Sequence, residues 1–488
     1  MVNNSNPIVA AIEIGSSKIS GMAGQKCDNC LKVLSYSSVR CSDSVHYGAV
    51  YNMQKTADHI VAVIDGLEHK MNGSIEHLYL NYAGRSLHTI LYTAKRSFET
   101  QVTIDDNILD DIQNEANASV PEEYQLIYSE VQDYRINGSQ ARNDNPNGVL
   151  CSTIECRYQL VVIKKQYIEN IRQCFDMANH KILDDAIVPL TLSKTILTDI
   201  EREKGCALID YGADTTTLTI YKSSRLCFIR VLPMGANLIT YDIMNHFHIS
   251  FVHAEALMNT YGLYNISRKE QGKKEEIAKL DDANEKKEIP LKELGQIIAA
   301  RNEEILDNVM NQISKSGYAD ILYGGVVMTG GGSNLRKMDD LIKQQYTKIY
   351  KFRIAKVLPV DIHWDYPDWK KDDGTQLGLL SLIMRDHNEN CATITEETWE
   401  QPIDISQASD SQIVTNDLFD DSPKVSSTVE AKTKRIEEFE QKSGEQDFET
   451  SKNGKTSTKK SFWKVFSKVT SSTEQILFND DNNDNANS

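Results

Sequence analysis

The sequence predicts a mixed α/β fold built from two related halves, and three glycine-containing segments carry the prediction. In LIDYGADTTT (208–217) an apolar strand turns at Asp210, Gly212 and Asp214 into small hydroxylated residues and continues as a second strand, LTIY. A similar unit lies in AAIEIGSSKISGMAG (10–24), where Ala11, Ile12 and Ile14 lead to Gly15, Ser16, Ser17 and Lys18 before Ile19 and Met22 resume. The third segment, GGVVMTGGGSNL (324–335), follows a strand and precedes the helix-like LRKMDDLI. A backbone turn with a carboxylate beside it can present N–H groups to a phosphate chain and manage its metal ion. Two such hairpins, about two hundred residues apart, imply a duplicated fold closing on one nucleotide. The third segment would then supply a flat glycine floor under a base and a helix N-terminus for its polar edge.

The remaining elements follow in order. TADHIVAVIDGLEHKM (56–71) has helical spacing, HLYLNYAG (77–84) reads as a strand, KKQYIENIRQCFDMANHK (164–181) as a helix, and DILYGGVVMTGG (320–331) leads a strand into the glycine cluster. Such alternation favours a mixed sheet covered by helices. Between Gly84 and Val162 the pattern changes to short β-like runs around one helix-like segment, IDDNILDDIQNEANAS, which predicts an inserted α+β subdomain. Residues 250–318 read as a second, charged and helix-rich insertion, whose block RKEQGKKEEIAKLDDANEKKE is expected to be solvated surface. The folded part is expected to end near Asn388, after a helix in GTQLGLLSLIMRD whose Leu377, Leu380 and Ile383 have core spacing. Residues 388–458 hold 16 Asp/Glu against 7 Lys/Arg with few apolar residues, so burial cannot offset their chain entropy and a disordered linker is expected.

Composition narrows the function. The chain has 488 residues, a formal charge of -17 and 40% hydrophobic residues, enough for two large domains plus extensions. Its acidity argues against broad nucleic-acid binding, because a phosphate backbone would be repelled. No stretch approaches the length of about eighteen apolar residues that spans a bilayer, and MVNNSNPIVAAIEIG carries no basic region or cleavage site. A cytoplasmic protein is expected. Nine cysteines without a disulfide-like framework suit reduced thiols. Cys27 and Cys30 form the one CxxC; a zinc site completed by Cys41 and His46 is the alternative to a plain polar turn, and with no second CxxC the turn is preferred.

The segment TKKSFWKVFSKVTSSTEQILF (458–478) breaks from the acidic linker in charge and aromaticity. Phe462, Phe466 and Val469 fall at i, i+4 and i+7 with Trp463 beside them, while Lys460, Lys464 and Lys468 repeat every fourth residue. This pattern predicts an interfacial helix with aromatics in the acyl boundary and lysines near anionic headgroups. Docking on the protein's own core or in a partner's groove is the competing reading. A long tether argues for reach, and the acidic FNDDNNDNANS that follows works against anionic lipid. One short apolar face binds weakly, so lasting attachment would need many copies on a shared scaffold.

With these pieces in order, the chain resembles the actin, Hsp70 and sugar-kinase superfamily, and within it the bacterial cell-division FtsA family. VLPMGANLITYDI (231–243), AEALMNTYG (254–262) and LGQIIAARNEEILDNVMNQISKSGYADILYGGVVMTGGGSNL (294–335) carry the specific match. The resemblance implies an actin-like two-domain α/β ATPase fold with an inserted α+β subdomain, a disordered linker and a C-terminal amphipathic helix. By position it divides the chain into subdomain 1A (1–83, 163–200 and 361–387), subdomain 1C (84–162), subdomain 2A (201–243 and 319–360) and subdomain 2B (244–318). The linker (388–458), the amphipathic helix (459–478) and an acidic tail (479–488) follow.

Carried over residue by residue, the resemblance implies ATP with Mg²⁺. It puts Gly15, Ser16, Ser17 and Lys18 in the first phosphate hairpin, and Asp210, Gly212, Ala213, Asp214, Thr215 and Thr216 in the second. Gly235 and Asn237 would lie near the phosphates, Glu255 on the ribose hydroxyls, and Gly330, Gly331, Gly332 and Asn334 at adenosine. Glu13 and Asp210 would hold Mg²⁺, largely through water. Three positions depart from the family pattern: Glu13 stands for the usual Asp, Asp214 for glycine, and Met258 for Lys. They imply ATP binding with at most slow hydrolysis. The implied function is an actin-like scaffold that associates into filaments, tethers the FtsZ ring to the inner face of the cytoplasmic membrane at the septum, and helps recruit other division proteins through residues 84–162. FtsZ would bind through its C-terminal peptide to residues 244–318, with Arg301 as a candidate contact; pairing of Arg301 with Glu304 on its own helix is the equal alternative. A pilus-assembly type scaffold and a small-molecule kinase of the same superfamily are the alternative functions. The latter would require a carboxylate base near the γ-phosphate.

Overall fold

In the computed structural model, the described residues are 6–394 except 28–29, 142–143, 264–275, 282–285 and 348–349. The linker beyond residue 394, the amphipathic helix 459–478 with Lys460, Phe462, Trp463, Lys464, Phe466, Lys468 and Val469, and the acidic tail lie outside them.

The first half is a six-stranded sheet in the spatial order 181–187, 77–82, 8–14, 18–26, 30–40 and 361–364. Ile8–Ile14 and Lys18–Lys26 pair antiparallel, with Ile14 opposite Ile19, and Ile8–Ile14 runs parallel to His77–Tyr82. All of Ile8–Ile14 except Glu13 is buried, as expected of a strand covered on both faces. One cover is the helix Met53–Met71, capped by the Asn52 side chain on the Lys55 amide and ended by left-handed Asn72. Ile60, Val63, Ile64 and Leu67 form its buried stripe. Gly21 lets this helix close on the sheet, since a Cβ there would stand 2.7 Å from Val63. The helix Leu377–Ile383, buried at every position, covers the opposite face.

The second half is part of an eight-stranded sheet ordered 352–354, 325–329, 206–211, 216–222, 225–232, 88–103, 150–164 and 124–136. The last three strands, with the helix Asp106–Ala118, are the predicted α+β insertion, and they join the sheet through the single pair Arg230–His88. Three apolar clusters form: one under the first half that also takes in Leu208, Tyr221, Ile229 and Val231 from the second-half strands, one within the second half, and one in the insertion.

The structure corrects three expectations. Within the charged block after residue 268, Ile277–Asp281 and Lys286–Pro290 pair antiparallel, and Ala278 and Ile289 enter the core. The fold continues past Asn388: Ala392–Ile394 pairs with Gly73–Ile75, and the Ile8 amide donates to the Asn390 carboxamide oxygen at 2.7 Å. The CxxC is closed by a disulfide: Lys26 pairs with Leu31, and the Cys27 amide donates to the Cys30 carbonyl at 2.9 Å. The other seven cysteines are buried thiols. Cys41 follows the opposite end of the eleven-residue strand that Cys30 begins, and its thiol donates to the Gly15 carbonyl.

Candidate functional site

The two hairpins have the same local construction. The Gly15 amide donates to the Lys18 carbonyl at 3.1 Å, and the Gly212 amide to the Thr215 carbonyl at 2.9 Å. A Cβ on Gly15 would lie 3.0 Å from that Lys18 oxygen, and one on Gly212 2.9 Å from that of Thr215. Both turns therefore need glycine for the close return of the backbone. Each is preceded, two residues earlier, by a carboxylate: Glu13 in one half and Asp210 in the other.

These carboxylates face each other across the cleft, and among the described residues neither makes a direct ion pair; Lys18 acts on Glu13 only from a distance. Burial, followed by the charge of Asp210, raises the Glu13 carboxyl to about 7, against opposing effects from Lys18 and the Asn81 amide. Burial alone raises Asp210 to about 6. The Asn81 carboxamide donates to Glu13 at 3.3 Å and to the Gly378 carbonyl at 3.1 Å. A Cβ on Gly378 would stand 1.8 Å from Glu13 Oε2, so this glycine leaves room for the carboxylate. Desolvated like charges of this kind are stabilised by a cation between them. Among the described residues no three His, Cys, Asp or Glu side chains converge. A divalent ion here would therefore take most of its ligands from water and phosphate.

The glycine cluster closes the third side. Gly330, at φ +85°, has Asp210 Oδ1 and the Tyr211 carbonyl where a Cβ would go, each at 2.5 Å. A Cβ on Gly332 would meet the buried Tyr211 ring at 2.5 Å, and the Tyr211 hydroxyl donates to Asn302 at 3.2 Å. Glycine at 330 and 332 thus lets this backbone lie directly on Asp210 and Tyr211 while it lines the cleft. Asn334 is fixed by donation to the Asp373 carbonyl.

Together these parts line one cleft of about 590 Å³, a volume suited to a small-molecule ligand. Of the expected residues, Glu13, Gly15–Lys18, Asp210, Gly212, Ala213, Thr215, Asn237, Glu255, Gly330–Gly332 and Asn334 line it. A more open depression of about 750 Å³ is drawn from Arg172–Asp185 alone and gathers nothing from the second half.

Four expected site residues are placed differently. Asp214 does not line the cleft: it accepts from the Asn237 carboxamide at 2.7 Å and the Tyr47 amide at 3.3 Å, with His46 Nδ1 at 3.8 Å. Its carboxylate therefore joins the second hairpin to a loop of the first half. Thr216 is buried and donates to the Met234 carbonyl at 2.7 Å. Gly235 packs against Ala213, whose carbonyl a Cβ would meet at 2.2 Å, and precedes the helix Ala236–Phe247. That helix starts on the hairpin itself, its Ala236 and Asn237 amides donating to Gly212 and Ala213 at 3.0 and 2.8 Å. Arg301, with a side chain only 6% exposed, donates twice to Asp242 at 2.6 and 3.0 Å and once to Glu304 at 2.7 Å. It is an internal ion pair rather than a surface contact for a peptide.

Sequence reasoning missed Arg40, Lys371, Asp373, Thr375 and Gly378, which also line the cleft. The DGT in KDDGTQLG was the available signal: Asp373 accepts from the Thr375 amide at 2.9 Å in an Asx turn, and Gly374 has φ +76°.

Residues 207–367 match the family described as "Cell division protein FtsA". The chain is 25% identical over 370 residues to the cell division protein FtsA of Porphyromonas gingivalis, covering 74% of both chains. It is 28% identical over 345 residues to that of Enterococcus faecalis, covering 68% of this chain and 75% of the other. Among solved structures, a chain of the PilM-PilN type IV pilus biogenesis complex superposes with a TM-score of 0.54 at 14% identity, over 77% of this chain and 97% of that one. Two hairpins of one design meeting a glycine floor in a mixed α/β frame agree with these likenesses: the chain is similar to the cell division protein FtsA over most of its length and shares its fold with the pilus-complex chain.

Proposed function

We propose that the cleft binds ATP with Mg²⁺ and that the protein is an actin-like cell-division scaffold. The observation that supports it best is the convergence of two equivalent hairpins and the glycine floor on one cavity. Amides of Ser16–Lys18 and of Ala213 and Thr215 would hold phosphate oxygens from either side, while those of Gly15 and Gly212 close the two hairpins. Glu255 would take the ribose, and Gly330–Gly332 with Asn334 the adenosine. Glu13 and Asp210 fit Mg²⁺ held mostly through water, the ion supplying the positive charge that their desolvated pair lacks. Turnover is slow in this reading, because Glu13 has one methylene more than aspartate and the ribose helix carries Met258 in place of a cation.

Beyond the cleft, the reading is that the body self-associates, binds the FtsZ C-terminal peptide on residues 244–318 without Arg301, and meets other division proteins through 84–162. The amphipathic pattern at 459–478 would hold these assemblies at the cytoplasmic face of the membrane at the septum. Among the described residues no helix is long and apolar enough to cross a membrane. Co-sedimentation of the full chain with anionic liposomes, with and without ATP and FtsZ, tests the tether. Binding lost on Trp463→Asp with Phe466→Asp supports it; undiminished lipid binding by that variant overturns it.

A further inference from the structure

Glu255 is the one side chain expected at a ribose, yet its helix offers nothing to orient it. Phe251–Tyr261 presents Phe251, Glu255, Met258 and Asn259 to the cleft, at i, i+4, i+7 and i+8. None is a cation, and Met258 is buried with its sulfur taking the Thr240 hydroxyl at 3.7 Å. The partner comes from the opposite half. Arg40, last residue of the strand Cys30–Arg40 and opposite Lys18 in register, donates from Nη2 to Glu255 Oε2 at 2.7 Å. Both residues line the cleft.

We propose that Arg40 is a positioning residue for ribose recognition, holding the Glu255 carboxylate from across the cleft. The proposal rests on the nucleotide reading above. An ionised carboxylate accepts on two oxygens, and among the described residues Oε2 alone of Glu255 carries a hydrogen bond. Oε1 is left for a ligand hydroxyl, while Arg40 fixes the plane of the group. Since Arg40 belongs to the first half and Glu255 to the second, ligand hydroxyls are read in full only when the halves are closed. The Arg40 side chain is 68% exposed, so its removal leaves the core untouched.

The test is calorimetric titration of the full-length protein with Mg²⁺ complexes of ATP, 2′-deoxy-ATP and 2′,3′-dideoxy-ATP. Wild type, Arg40→Ala, Arg40→Lys, Glu255→Ala and the double Arg40→Ala/Glu255→Ala variant are compared, with thermal unfolding as the folding control. Arg40→Ala should weaken ATP about fivefold, as expected for one charge-assisted contact near the surface, and change dideoxy-ATP by less than about twofold. Arg40→Lys should recover part of the loss. The double variant should bind ATP no worse than Glu255→Ala, because the two residues act as one unit. Equal weakening toward ATP and dideoxy-ATP would assign Arg40 to the phosphates and overturn the proposal, as would unchanged binding of ATP. Wild type that binds none of the three would overturn the nucleotide reading itself, a result distinct from either of these.

Discussion

Neutralising Glu13 should make the ligand-free protein more stable and its complex weaker, and the size of the first effect follows from the site. Burial and Asp210 raise Glu13 from 4.5 to about 7, so the folded state favours the protonated acid and the unfolded state releases the proton first. Its contribution is complete below pH 4.5 and is lost as pH rises toward 7, with Asp210 losing its own between 3.8 and about 6. At about 1.4 kcal/mol per tenfold change in proton affinity, a wholly enclosed Glu13 would lose about 3 kcal/mol. Water reaches part of both groups through the cleft, which reduces the expected loss to about 1–2 kcal/mol. Urea unfolding of wild type and Glu13→Gln from pH 5 to 8 measures this as a difference, cancelling the titration of other groups. Wild type should fall below the variant across that window, and Mg²⁺-ATP at pH 8 should close the gap for wild type while binding Glu13→Gln more weakly. Parallel curves, or a wild type that gains stability over the variant, would refute the unpaired-carboxylate argument.

Three further outcomes are expected. Gly378→Ala places a methyl where Glu13 Oε2 lies, at 1.8 Å; the carboxylate swings away, the fold persists, and calorimetry should show Mg²⁺-dependent ATP affinity falling by about tenfold. Asp214→Gly removes the acceptor for Asn237 and the Tyr47 amide, which should lower the unfolding free energy by about 1–2 kcal/mol and change ATP affinity by no more than about threefold; a tenfold gain would show that the carboxylate faces the phosphates after all. Arg301→Ala strands the part-buried carboxylates of Asp242 and Glu304 and should cost about 3 kcal/mol in urea unfolding, whereas Arg301→Ala in an Asp242→Asn background should cost distinctly less.

What could be read directly from sequence was whatever a few consecutive residues decide. Each glycine hairpin is legible because its turn closes over three residues, with glycine where the backbone returns on itself. The stripe of the 53–71 helix is legible because apolar spacing and end caps agree. The insertion at 88–164 is legible in its alternating runs, although its junction with the second half, Arg230 to His88, is not. Asp214 was misread because its orientation is set by the Tyr47 amide, 167 residues away. Arg301 shows both sides of this limit: Glu304 lies three residues on and was visible, while Asp242, 59 residues back, was not. The strand 392–394 escaped notice since three residues carry no period, and its partner is the distant 73–75. In Ile277–Pro290 the interspersed lysines and glutamates mask a hairpin that inserts Ala278 and Ile289 into the core. Arg40 carries no local motif; only the closing of two halves brings it to Glu255.

The central claim is that one ligand bridges both halves of the molecule. Hydrogen exchange of the full-length protein with and without Mg²⁺-ATP tests it most directly, since the amides concerned belong to three separate segments. The account predicts that peptides covering 13–18, 210–216 and 330–334 gain protection together at the same nucleotide concentration. Protection confined to one half, or none at saturating nucleotide, would contradict it.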